Sequence, residues 1–279
     1  MSLKRREFLT LGAGALAGTT LRLPWCGGAE RLDRIGVQLY TVRTEMAKDF
    51  DGTIARVAAA GYREVEFAGY YDRSAAQVRA TLDRNGLTAP STHLSKEALE
   101  RNGERLLADA ATIGHRYVCI AWIAQEERRT LDDVKRVAAA FNRIGERCRA
   151  AGLQFAYHNH DFEFALIEGK MLYDVLLAET DPALVQLEVD LYWITKGGQD
   201  PLAYFARYPG RVPLVHVKDS AGPPDHRMVD VGAGTIDFKR IFARRAQAGI
   251  RHFFVEHDQP GDPLQSIKAS CEYLKRLEF

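Results

Sequence analysis

From residue 32 onward the chain repeats one unit: a short β-branched or aromatic run, a polar turn, then an Ala/Leu/Arg-rich stretch of helical periodicity. Runs with strand character lie at 35–40 (IGVQLY), 64–67 (EVEF), 87–93 (LTAPSTH) and 117–122 (YVCIAW). Four more lie at 154–160 (QFAYHNH), 185–190 (VQLEVD), 213–218 (PLVHVK) and 252–256 (HFFVE). Helical patterns intervene, among them 51–60, 74–85, 131–151 and 238–248, and Gly61, Gly86, Gly114, Gly152 and Gly249 stand at helix exits, where a left-handed cap is useful. Eight alternations predict an α/β fold, a (β/α)8 TIM barrel spanning 32–279 as one domain, because a doubly wound sheet has no need of eight equivalent units. The Pro/Gly-bearing segment 219–235 reads as the loop after the seventh strand.

Composition supports a sizeable core: 46% of the residues are hydrophobic and the formal net charge is +1, which removes any requirement for a polyanionic partner. Nucleic acid is not expected as a ligand, since no continuous basic strip is present. Cys26, Cys119, Cys148 and Cys271 are widely spaced and form neither a CxxC pair nor a disulfide framework.

Residues 1–31 read differently. A basic start, an apolar glycine-rich centre and a polar exit make an export signal, and Arg5-Arg6 followed by Phe8 and Leu9 resembles the twin-arginine (Tat) type. The expectation is a periplasmic or otherwise exported protein that meets the Tat export machinery. No second long apolar run follows, so no stable membrane insertion is expected after processing. The GAGALAG phrase lacks a preceding strand and is not a dinucleotide motif.

A barrel gathers its chemistry where the strands end. Strand ends here carry Gln38, Tyr40, Glu66, His93, Trp122, His158, His160, Glu188, Asp190, His216, Lys218 and Glu256, with Asp258 just beyond. Side chains two apart on a strand share a face, so His158/His160, Glu188/Asp190 and His216/Lys218 each supply two groups at different heights. Carboxylate oxygen and imidazole nitrogen together suit one divalent ion, and Asp190, His216 and Glu256 are the strongest candidate ligands. His158 is the natural fourth, with Glu163 as the alternative. Manganese, cobalt, magnesium and zinc all remain compatible with such donors.

Seven fragments in order, GVQLYTVR at 36–43, STHL at 91–94, AYHNHDFEF at 156–164, LEVDLYWITKGGQDP at 187–201, RVPLVHVKDS at 211–220, VGAGTIDF at 231–238 and FFVEHDQP at 253–260, resemble the xylose-isomerase-like family of sugar isomerases and epimerases. The resemblance implies a metal-dependent TIM barrel holding its ion through a glutamate, an aspartate, a histidine and a second glutamate on the fifth to eighth strands. The last three fall on Asp190, His216 and Glu256. The first falls on His158, and Trp193 stands where related epimerases have a substrate-contacting histidine.

These readings lead to a divalent-metal-dependent isomerase or epimerase of a sugar, keto-sugar or cyclitol, working through an enediolate. A dehydratase or lyase of a keto-sugar or inosose is the alternative, and a noncatalytic carbohydrate-binding protein a third reading. Glu256, His160 and Lys218 are the acid/base candidates, Lys218 alternatively stabilising an oxyanion or pairing with Asp219. Gln38, Glu66 and His93 are placed to hydrogen-bond substrate hydroxyls, and Tyr40, Trp122, Trp193 or Phe162 to pack against a ring. VGAGTIDF offers backbone amides but no Walker lysine, so an unphosphorylated substrate is expected. An oligomer is compatible with the sequence.

Overall fold

A computed structural model describes residues 29–279; the expected export signal lies almost wholly outside them, as does Cys26. Eight parallel strands close into a barrel: β1 (Gly36–Gln38), β2 (Glu64–Phe67), β3 (Thr88–His93), β4 (Tyr117–Ile120), β5 (Gln154–His158), β6 (Val185–Asp190), β7 (Leu214–Val217) and β8 (His252–Val255). Each pairs with its sequence neighbours, and β1 closes the ring on β8 through Gly36 opposite Phe254.

Strand alternation divides the side chains into two populations. Val185, Leu187 and Val189 of β6 face the helices, as do Phe155 and Tyr157 of β5, whose rings lie 5.3 and 5.0 Å from Phe141 on the helix Leu131–Ala150. Such apolar side chains, each worth about 1.5–3 kcal/mol when fully buried, form the continuous outer core. A separate apolar cluster of Tyr117, Cys119, Ala156, Leu214 and Phe254 belongs to the opposite alternation and fills the barrel's interior. Gly36 makes room for it, since a Cβ there would stand 2.6 Å from the Phe254 ring. The polar layer above rests on this plug.

Helices fall where the periodicity puts them, at Phe50–Ala60, Ala75–Arg84 and Leu131–Ala150. Gly61, Gly114 and Gly249 hold left-handed C-caps. One helix differs: 238–248 is two short pieces, Phe238–Phe242 and Arg245–Ala248, because Arg244 leaves helical geometry at φ −104°, ψ 6°. Several strands are shorter than their apolar runs. β1 stops at Gln38, whose side chain accepts the Tyr40 amide and starts a 3₁₀ turn. β5 stops at His158, because the next amides turn away and that of His160 binds Glu163 Oε2. Within 219–235 a small antiparallel pair, Asp219–Ser220 with Met228–Val229, folds the loop back on itself.

Candidate active site

Closure of the barrel brings the strand-end residues into two layers above the Phe254 plug. The lower layer is ionic and largely enclosed. His93 Nε2 lies 2.7 Å from Glu188 Oε2 and 3.2 Å from Glu66 Oε2. His216 Nε2 lies 2.6 Å from Glu66 Oε2, while its Nδ1 lies 2.8 Å from Glu256 Oε2. His158 joins the layers, with Nδ1 3.1 Å from Glu188 Oε2 and Nε2 3.6 Å from Asp190 Oδ2. Burying so many charges is costly, and their mutual pairing offsets the cost.

The upper layer centres on Lys218. Its Nζ stands 3.1 Å from Asp190 Oδ2, 2.7 Å from Glu256 Oε2 and 2.8 Å from Asp258 Oδ1. Asp190 Oδ1 meanwhile accepts the amides of Tyr192 and Trp193 and caps the helix Leu191–Lys196. A cavity of about 400 Å³ opens above this layer, lined among others by Tyr40, His93, Trp122, His158, His160 and Lys218.

Electrostatics assign the charges. Burial disfavours ionised Glu66 and Glu256, yet the neighbouring cations win: His93 and His216 hold Glu66 well below the usual carboxylate range, and Lys218 and His216 hold Glu256 low. Burial likewise opposes charge on His93, His216 and Lys218, and the surrounding carboxylates overcome it and raise all three. Burial dominates elsewhere, pushing Asp190 up to about 6 and His160 down to about 3, the latter assisted by Lys218. His158 is lowered by burial and by His216.

The residues fit one divalent cation. Ligand atoms of Asp190, His216 and Glu256 lie within 4.8 Å of one another, and so do those of His93, His158, Glu188 and His216. Glu188 Oε1 and Glu66 Oε1 are buried without a hydrogen-bond partner, which is the condition of donors awaiting a cation, whereas Asp190 Oδ2 already faces the Lys218 ammonium at 3.1 Å. Mixed carboxylate and imidazole donors of this kind suit borderline and hard divalent ions.

Several expected roles change with the geometry. Gln38 and Glu66 lie beneath the cavity, bonded to each other at 2.8 Å, instead of lining its mouth. Lys218 pairs with Asp190, Glu256 and Asp258 and not with Asp219, and these three carboxylates favour its charged form. Glu163 belongs to neither chelating group; fully buried, it accepts the Tyr157 hydroxyl and the His160 amide and fixes the turn that carries His160. The amides of Gly232, Gly234 and Ile236 in VGAGTIDF are all taken by the Asp219 carboxylate, so that loop has no free phosphate cradle there. Trp193 borders a neighbouring cavity, and its ring centroid lies 5.4 Å from that of His160. Phe162 stacks on His160 at 5.7 Å under Arg128, 3.7 Å from its ring.

Glu188 and Asp258 enter the site more deeply than their sequence positions indicate. The two-residue offset from Asp190 points Glu188 inward; nothing local marks Asp258 as the third anion on Lys218.

Kinship agrees with this geometry. A sequence model of the xylose isomerase-like TIM barrel family matches residues 54–277. An inosose dehydratase from Lacticaseibacillus casei is 26% identical over 245 residues, covering 74% of this chain and 81% of that protein. Another, from Geobacillus kaustophilus, is 24% identical over 275 residues, covering 81% and 87%. The crystal structure of a sugar phosphate isomerase/epimerase from Parabacteroides distasonis superposes with a TM-score of 0.76 at 27% identity, covering 90% of this chain and 95% of that one. Chelating clusters on the catalytic face, together with relatives that are enzymes, make this chain an enzyme. With the match running through most of the barrel, it belongs to the xylose isomerase-like TIM barrel family.

Proposed function

We propose that the chain is a metal-dependent dehydratase, a lyase that removes water from a keto-sugar or inosose. The observation that carries this reading is the asymmetry about Glu256: the fifth strand presents His158 across the site. Proton exchange on both faces of a carbon calls for two matched groups, whereas elimination on one face needs one. The similarity to inosose dehydratases favours the same choice over the isomerase reading.

His158, Asp190, His216 and Glu256 would hold the ion, whose chemistry when bound is to polarise the substrate carbonyl and acidify the adjacent C–H. Lys218, kept charged by three carboxylates, presents its ammonium to developing negative charge on the carbonyl oxygen. His160 is neutral and lines the cavity. It accepts the proton from the carbon beside the carbonyl and hands it to the hydroxyl departing from the next carbon, so water leaves and a C=C bond forms. Its low pKa makes it a weak base but, once protonated, a strong donor to the leaving group. Tyr40 and Trp122 bound the ring.

Incubation with inososes and keto-sugars in D₂O with added divalent metal, read by mass and NMR, tests the proposal. An unsaturated keto product confirms elimination. C–H exchange or a rearranged ketose without loss of water establishes the isomerase reading, which the Parabacteroides distasonis relative favours. Export through the Tat route is proposed on Arg5-Arg6; replacing both by Lys strands the protein in the cytoplasm on fractionation, and undiminished export overturns it.

A further inference from the structure

We propose that the cleft continues into an outer subsite for a second sugar ring, so that the substrate is a glycosylated keto compound larger than a free inosose. The proposal rests on the cavity over Lys218 being the reaction site. A second cavity of about 500 Å³ adjoins that one, and Asp258 and Gln259 line both. A single ring held over Lys218 leaves this second space to water.

Trp193 lines the outer space and packs against two residues that line the inner one. On the inner side its ring meets His160 at 5.4 Å and Lys218 Nζ at 5.7 Å; on the outer side it lines the second cavity with Tyr192, whose ring is 4.8 Å away. Its indole N–H is buried and has no acceptor, and a buried tryptophan N–H ordinarily finds one. Arg227, also lining the outer space, forms no ion pair among the described residues, and so keeps its fork of donors free. At the opposite rim Trp122 is 57% exposed and Tyr40 42%, two of the three large hydrophobics left open to solvent among the described residues.

Flat aromatic faces interleaved with charged hydrogen-bonders suit a pyranose, which has an apolar face and an equatorial belt of hydroxyls. A lipid or plain aryl group would leave the Arg227 guanidinium desolvated without a partner. A phosphate would meet the Asp258 carboxylate, and the VGAGTIDF amides are already occupied by Asp219.

Binding of probes that carry no ketone, and so cannot undergo the proposed elimination, separates this proposal from the dehydratase reading. Calorimetry with the metal-loaded protein compares myo-inositol with galactosyl-myo-inositol, and glucose with cellobiose. Expected is a two-ring probe binding at least tenfold tighter than its one-ring counterpart. That ratio falls to near one in both Trp193→Ala and Arg227→Ala, and saturation-transfer NMR reports contact to both rings in the unaltered protein. A ratio near one in the unaltered protein, no measurable binding of either two-ring probe, or a ratio that survives both substitutions overturns the subsite. A protein that eliminates water from inososes yet shows no ratio keeps its function and loses the subsite. One that shows the ratio and eliminates nothing does the reverse.

Discussion

Lys218 Nζ lies 2.7 Å from Glu256 Oε2, so a residue of β8's end that is a candidate metal ligand also neutralises a buried ammonium on the cavity wall. The same ammonium lies 3.1 Å from Asp190 Oδ2. Cation and lysine therefore draw on the same two carboxylates. Lys218→Met frees both for the ion and removes the group facing the oxyanion. Expected is metal content unchanged or raised, measured by elemental analysis, with kcat for elimination lowered about 10²-fold or more. Loss of metal together with activity would show that Lys218 supports the ligands instead of the reaction.

Asp190 is the reciprocal case. Its Oδ1 caps the helix Leu191–Lys196 while Oδ2 faces the Lys218 ammonium. Asp190→Ala removes a ligand and a cap at once, costing about 1 kcal/mol through the cap alone. Asp190→Asn retains the cap acceptor, so it isolates the ligand. Both variants are expected to lose most bound metal on elemental analysis, with only Asp190→Ala losing the extra stability in denaturant. Full occupancy in Asp190→Asn would remove Asp190 from the ligand set.

How much of this was legible beforehand follows from the range of each interaction. Asp190, His216 and Glu256 were readable because each ends an apolar strand, and strand periodicity aims them without tertiary knowledge. The depth of Glu66 and Glu188 was not readable, since it depends on where closure sets the Phe254 plug. Lys218 and Asp258 lie 40 positions apart on different strand exits, and only the β7–β8 register brings them together. Asp219 likewise looked like the nearest anion to Lys218, yet adjacent strand residues face opposite ways. It turns instead toward Gly232 and Gly234. The split helix at Arg244 carries no glycine or proline to announce it.

Gly36 tests the plug itself. An added Cβ would meet Phe254 Cδ1 at 2.6 Å and the Phe253 carbonyl oxygen at 3.1 Å, so the ring or the β1–β8 seam must shift. Gly36→Ala is expected to cost about 1–3 kcal/mol in denaturant unfolding. Phe254→Leu in the same chain should recover part of that loss, because it relieves the nearer contact. A double variant as unstable as the sum of the two singles would place the strain in the backbone seam.

His115 governs an acid response away from the metal ligands. Its Nδ1 lies 2.6 Å from the Ala89 carbonyl oxygen and its Nε2 3.0 Å from the Tyr70 hydroxyl, a pairing that the neutral ring satisfies by donating from Nδ1 and accepting at Nε2. Burial pushes its pKa down to about 4 from 6.5. Between those values the unfolded chain binds a proton that the folded chain refuses, so stability falls as the pH is lowered. The contribution is whole above about pH 6.5 and is lost as the pH falls through about 4, amounting to up to about 3 kcal/mol. His115→Gln loses hydrogen-bond geometry and is less stable at pH 7, but has no such proton to take up. The stability gap between the two proteins in chemical denaturation should therefore narrow from pH 7 to pH 4.5. A gap that stays constant would mean that His115 is protonated in the folded barrel, with the Tyr70 hydroxyl accepting from Nε2.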